Sequence, residues 1–153
     1  MEYNELANNF AARFGVSDLE IKDGVCAFEI DGMRVAFIHD VGADAVTIYG
    51  EIGFPPPDAN GKFGELMLRS NYLLSATSGA VLCQNPESGA YAIFRTIPLA
   101  QMDDEQFAAS VEKLVNQTEN WKQIVGGFQA AEQAVEDQAE TLEQLPLGDF
   151  MRV

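Results

Sequence analysis

The residues that could do chemistry are few, and their spacing does not bring them together. His39 is the only histidine, so a Ser-His-Asp or Cys-His arrangement has one candidate base, at the end of a predicted hairpin strand just past its core positions. The two cysteines, Cys26 and Cys83, form no C-x-x-C pair and have no histidine pair beside them, which reads as two reduced, buried thiols rather than a zinc site. Asp103, Asp104 and Glu105 are adjacent; successive residues point different ways around a helix, so these carboxylates suit a helix start better than a cation. Gly61-Lys62 matches the close of a phosphate-binding loop, but Phe63 replaces the required Ser or Thr and Pro56 stands where the first Gly belongs. Asn116-Gln117-Thr118 fits a glycosylation sequon but falls in a predicted helix of a chain with no export signal. No enzyme activity, metal or cofactor is expected from this set.

Composition narrows the partners instead. The chain has 153 residues, 47% of them apolar and 10% aromatic, which suits one globular unit with a real core. Nine Lys and Arg against 24 Asp and Glu give a formal charge of -15, so nucleic acid and anionic membrane surfaces are repelled and a basic or amphipathic protein partner is favoured. No apolar run approaches the roughly 18 residues of a membrane span. Met1-Glu2-Tyr3-Asn4-Glu5 carries acids where a secretory signal carries Lys or Arg, and the expected location is the cytoplasm.

The elements follow from periodicity. Tyr3, Leu6, Ala7, Phe10 and Phe14 fall on one helical stripe that Gly15 can end. Residues 25–30 and 33–38 flank Asp31-Gly32, the signature of a two-residue hairpin. The implied register puts Ile30 with Met33, Phe28 with Val35 and Cys26 with Phe37 on a core face, and Glu29 with Arg34, Ala27 with Ala36 and Val25 with Ile38 on the reverse. A third strand is expected over 45–52, then a proline-rich loop over 54–61. Residues 62–74 read as a helix that is apolar around nearly its whole circumference and therefore needs cover on two sides, from the chain's own termini or a second copy. A second hairpin, 80–84 with 91–97, is joined by Asn85-Pro86-Glu87-Ser88-Gly89. Asp103 and Gln106 form a capping-box pair for a long helix whose apolar seam runs from Phe107 to Phe128. Gly126-Gly127, at about 1 kcal/mol for each Gly, is expected to break that helix, dividing the chain into a domain over 1–125 and an acidic helical extension or tail over 126–153. Residues 129–145 carry five acids and no Lys or Arg, and Pro146 stops the helix.

This α+β order, helix, three-stranded antiparallel meander, helix, hairpin, long helix, resembles the class I type III secretion chaperones of bacteria over about residues 3 to 125. The pieces that carry the likeness are Val25 to Gly32, Leu66-Met67-Leu68-Arg69-Ser70-Asn71, and Tyr91 to Leu99. Asn71 resembles the Asn of the family's Leu-Leu-x-x-Asn run, and Trp121 its late Trp. The triple proline and the acidic extension depart from the family pattern. The resemblance implies a homodimer with a twisted sheet flanked by helices, holding the N-terminal region of a secreted effector extended, soluble and export-competent. Components of the secretion apparatus are a further candidate partner. Its implied effector contacts, joined to the register above, are Phe10, Phe14, Val25, Ala27 and Ile38. The implied dimer contacts are Leu68, Tyr72, Leu73, Val81 and Cys83. The competing reading is a regulatory or adaptor protein that uses the same scaffold for a partner that is not exported.

Overall fold

The structure is a computed structural model that describes residues 2–54 and 61–143, with side chains through residue 128. The expected 55–60 part of the proline loop, and the Pro146 stop with the residues around it, lie outside the described residues. Helix α1 (Tyr3–Ala12) is followed by strands β1 (Val25–Ile30), β2 (Met33–Asp40) and β3 (Ala45–Gly53), helix α2 (Lys62–Ser70), strands β4 (Val81–Gln84) and β5 (Tyr91–Pro98), and helix α3 (Asp104–Glu143). The strands form one antiparallel sheet in the order β1-β2-β3-β5-β4.

The Asp31-Gly32 turn has both residues at positive φ, 50° and 77°, as a type I′ turn requires. It fixes the expected register, Ile30 opposite Met33 and Val25 opposite Ile38. Because side chains alternate, one slip would turn the whole apolar set to the wrong face. On the inner face Phe37 meets Phe10 and Phe107 edge to face, with ring centroids 5.7 and 5.1 Å away, so α1, the sheet and α3 share one aromatic core. Asp103 and Gln106 exchange the two capping-box bonds: the Gln106 amide donates to Asp103 Oδ1 at 2.8 Å, and the Asp103 amide donates to Gln106 Oε1 at 3.1 Å. From that start α3 crosses β3 so closely that Gly50 lies beneath Thr118 with no space for a side chain.

Two expectations are corrected. The second helix does not reach residue 74: α2 ends at Ser70, and a single 3-10 turn covers Tyr72–Leu74. The reason is Asn71. Its carboxamide donates to the Leu82 carbonyl at 3.0 Å and accepts from the Leu82 amide at 2.9 Å, so the side chain that could have sat on a helix surface ties the chain to β4 instead. The following Leu73 and Leu74 are left at φ 52° and 55°, a left-handed conformation costing about 1–2 kcal/mol for each such residue. Nor does α3 break at Gly126-Gly127; it continues to Glu143. The glycine cost is small beside what lies on either side: Val125 is buried, and Phe128 packs edge to face on Phe63 at 5.2 Å.

Candidate functional site

Among the described residues two apolar surfaces stand open, one on the outer face of the sheet and one beside its β4 edge. On the outer face, strand pairing lines up Ala27, Ala36, Tyr49, Phe94 and Val81 in one row across all five strands. The next row holds Val25, Ile38, Thr47 and Thr96. Val25 and Ile38 are each 41% exposed, and Thr47 and Thr96 share a hydroxyl bond of 2.8 Å between them. Where the turn after β4 overhangs this face, Ile38, Tyr49, Cys83 and Phe94 line an open groove of about 470 Å³ with Pro86 and Glu87 at its rim. The Tyr49 hydroxyl is shut off from water there, beside Asn85 but without a hydrogen bond of good geometry. Burial pushes its pKa up, so the phenol stays neutral and the groove floor uncharged.

The second surface lies at the β4 edge, where Leu68, Tyr72 and Leu73 are 75%, 73% and 80% exposed. Beside it an apolar groove of about 460 Å³ runs between α2 and β4, lined by Met67, Leu68, Leu82, Cys83 and Tyr91 among others. Charge sets this region apart. Between Glu65 and Glu87 the chain has no acid, and Glu65 itself is paired with Arg69. From residue 66 to 102 the sequence has a single acid, Glu87, against Arg69 and Arg95, so all of the -15 resides elsewhere.

The structure places the predicted contacts unevenly. Val25, Ala27 and Ile38 share the outer face with Val81 and Cys83, and the implied effector and dimer patches meet where Ile38 and Cys83 line the same groove. Phe10 belongs to the core, at 2% exposure, and reaches the surface only where it lines a groove with Phe14, Ile30 and Val115. Phe14, two residues beyond the end of α1, is 49% exposed and packs against Phe10 at 5.1 Å.

The reactive types are occupied structurally. His39 stacks on Tyr3 at 4.5 Å, the Tyr3 hydroxyl lies 3.5 Å from Cys26 Sγ, and burial raises the pKa of both Tyr3 and Cys26. The Cys83 thiol is likewise pushed up by burial, away from the thiolate that nucleophilic chemistry needs. Among the described residues no three His, Cys, Asp or Glu side chains gather as a metal site, and no helix is long and apolar enough to cross a membrane.

The sequence matches the model of the Tir chaperone protein (CesT) family over residues 5–122. The chain belongs to this family. No curated protein matches the sequence, but solved structures of the same fold do. The HopA1-SchA chaperone-effector complex contains a chain 20% identical, matched over 79% of this chain and 93% of its own with a TM-score of 0.62. The ExsC-ExsE complex contains one 19% identical, over 80% and 92%, at 0.67. The Yersinia pestis type III secretion chaperone SycH, solved with a fragment of YscM2, is represented at 16% identity, over 78% and 99%, at 0.59. In the CesT-family frame the matched region ends at Lys122, within α3, so about half of the observed helix lies beyond it.

Sequence reasoning missed Tyr49 and Phe94, which join the two ends of the outer face. Alternation in β3 already put Tyr49 opposite in sense to Ile48, but its neighbour β5 is not the next strand in the chain, and no local turn signal announces that pairing.

Proposed function

We propose that the chain is a cytoplasmic chaperone that binds the N-terminal region of a type III secreted effector in extended form, and that it works as a homodimer, by binding rather than catalysis. The observation that carries this reading is the continuous apolar row on the outer sheet face, flanked by the exposed Val25 and Ile38. Membership in the CesT family supports it, as does likeness to a chain in a chaperone-effector complex. An extended segment can set alternate side chains on such a face and add backbone hydrogen bonds at an edge strand; β1 and β4 are the edges here. Self-association is best served by the β4 side. Two bodies of charge -15 repel least where acids are missing, and that is where Leu68, Tyr72 and Leu73 stand out. Val81 and Cys83 adjoin this edge on the outer face.

The test is affinity purification from the native cytoplasm, with the retained protein identified by mass spectrometry and probed by limited proteolysis. The expected result is an exported protein whose N-terminal region is protected, and whose retention is lost in Ala27→Asp/Ile38→Asp while the dimer persists. A retained partner that is never exported would move the protein to the adaptor class. Unchanged retention by the double variant would remove the outer face from the account.

A further inference from the structure

The segment between α2 and β4 has only the one 3-10 turn, yet it is held at many points. Asn71 grips both backbone groups of Leu82. Thr77, fully buried, donates its hydroxyl toward the carbonyls of Leu74 and Ala80, and the Gln117 amide on α3 donates to the Thr77 carbonyl. The Gly79 amide closes back on the Leu74 carbonyl at 2.9 Å. Inside this frame three non-glycine residues, Leu73, Leu74 and Ser78, sit at φ 52°, 55° and 52°. Leucine gains nothing locally from a left-handed backbone, so such conformations persist only where the surroundings over-determine them. In this arrangement Tyr72 and Leu73, like Leu68, are left largely exposed.

Resting on the homodimer reading above, we propose that Asn71 is the positioning residue of the self-association face: its two bonds to Leu82 hold the strained Leu73–Leu74 turn in the one orientation that presents Tyr72 and Leu73, with Leu68, to a second copy of this chain. The occupant is a second copy because the presented surface is large-apolar and lies in the acid-free stretch between Glu65 and Glu87, the part of a -15 chain that another -15 chain can approach. Pre-ordering the side chains removes an entropic cost that each subunit would otherwise meet on docking.

The experiment compares wild type with Asn71→Ala by sedimentation equilibrium and by hydrogen exchange. Asn71→Ala is expected to weaken dimerisation at least tenfold and to speed exchange in residues 72–79 at least tenfold, with β3 and β5 protected as before. Asn71→Asp keeps the acceptor for the Leu82 amide, loses the donor to its carbonyl and is expected to lie between, which keeps the proposal testable if the alanine variant fails to fold. Val41→Ser, at an equally exposed valine in the β2–β3 turn, is expected to leave the dimer unchanged. A dissociation constant within twofold of wild type would overturn the role of Asn71. So would loss of β3 and β5 protection in step with the dimer, since that marks a merely structural asparagine. A wild-type protein that stays monomeric at high micromolar concentration would instead overturn the dimer reading itself.

Discussion

Replacing Gly50 with alanine should destabilise the fold, and Thr118 should be the cause. Gly50 lies inside β3, paired with Val35 on one side and Ile93 on the other. A strand glycine with ordinary φ usually gains about 0.4–1 kcal/mol on becoming alanine, because the unfolded chain loses freedom. Here a Cβ would stand 2.2 Å from Thr118 Oγ1, 3.0 Å from Cγ2 and 3.1 Å from Cβ. Thr118 cannot easily yield: it is fully buried, β-branched, and its hydroxyl donates to the Leu114 carbonyl at 2.8 Å. Overpacking of this kind costs about 1–3 kcal/mol, and an approach as close as 2.2 Å points to the upper half of that range. Urea unfolding at a protein concentration low enough to avoid dimer linkage measures it. Thr118→Ala removes two of the three close contacts and leaves one at 3.1 Å. The double variant should therefore recover at least about 1 kcal/mol relative to additivity. A Gly50→Ala protein as stable as wild type, or strict additivity with Thr118→Ala, would refute this account of how α3 sits on β3.

Leu68→Asp should abolish self-association, because it would bury an unpaired charge in each subunit at about 3 kcal/mol or more; light scattering at micromolar concentration should report a folded monomer, and a dimer would displace the interface from α2. Alkaline pH should weaken the fold through Tyr3 and Cys26. Both have folded pKa values raised by burial above their ordinary 10.0 and 9.0, so the stability they contribute is whole below pH 9 and drains as pH rises past 9 and then 10, by up to about 1.4 kcal/mol for each group per pH unit. Tyr3→Phe should flatten the upper part of that decline, and an unchanged profile would dismiss the assignment. Cys83 should react with iodoacetamide more slowly than a free thiol at pH 8, and more slowly still in the dimer; a rate equal to that of a free thiol would place it in open solvent. Deleting residues 129–153 should leave the unfolding midpoint and the dimer mass unchanged, in keeping with a separate C-terminal extension; a large fall in the midpoint would make the extension part of the core.

Much of the fold was legible because it is written in local patterns. Asp31-Gly32 has one favourable hairpin geometry, and alternation then decides which of Cys26 and Ala27 faces inward. The Asp103–Gln106 box was readable for the same reason, being complete within four residues. What failed to show was long-range competition. Local propensity carries a helix through Tyr72 and Leu73, but the hydrogen bonds that end it reach from Asn71 to Leu82, on a strand the helix pattern says nothing about. At Gly126-Gly127 the propensity cost was real but smaller than the packing of Phe128 on Phe63, another contact between distant segments. Within the candidate site, Val25, Ala27 and Ile38 were placed on the outer face by hairpin register alone. For Phe10 the helical stripe shows that a ring is buried or presented without showing which. Phe37 and Phe107, from two other elements, claim it for the core.

The central claim, that this surface holds another protein rather than performing a reaction, is tested most directly by native mass spectrometry of the species recovered from the native cell. The account predicts two copies of this chain carrying an exported protein, and loss of that protein alone when Ala27 and Ile38 are both changed to Asp. A single chain with nothing attached, or one carrying a small-molecule product, would contradict it.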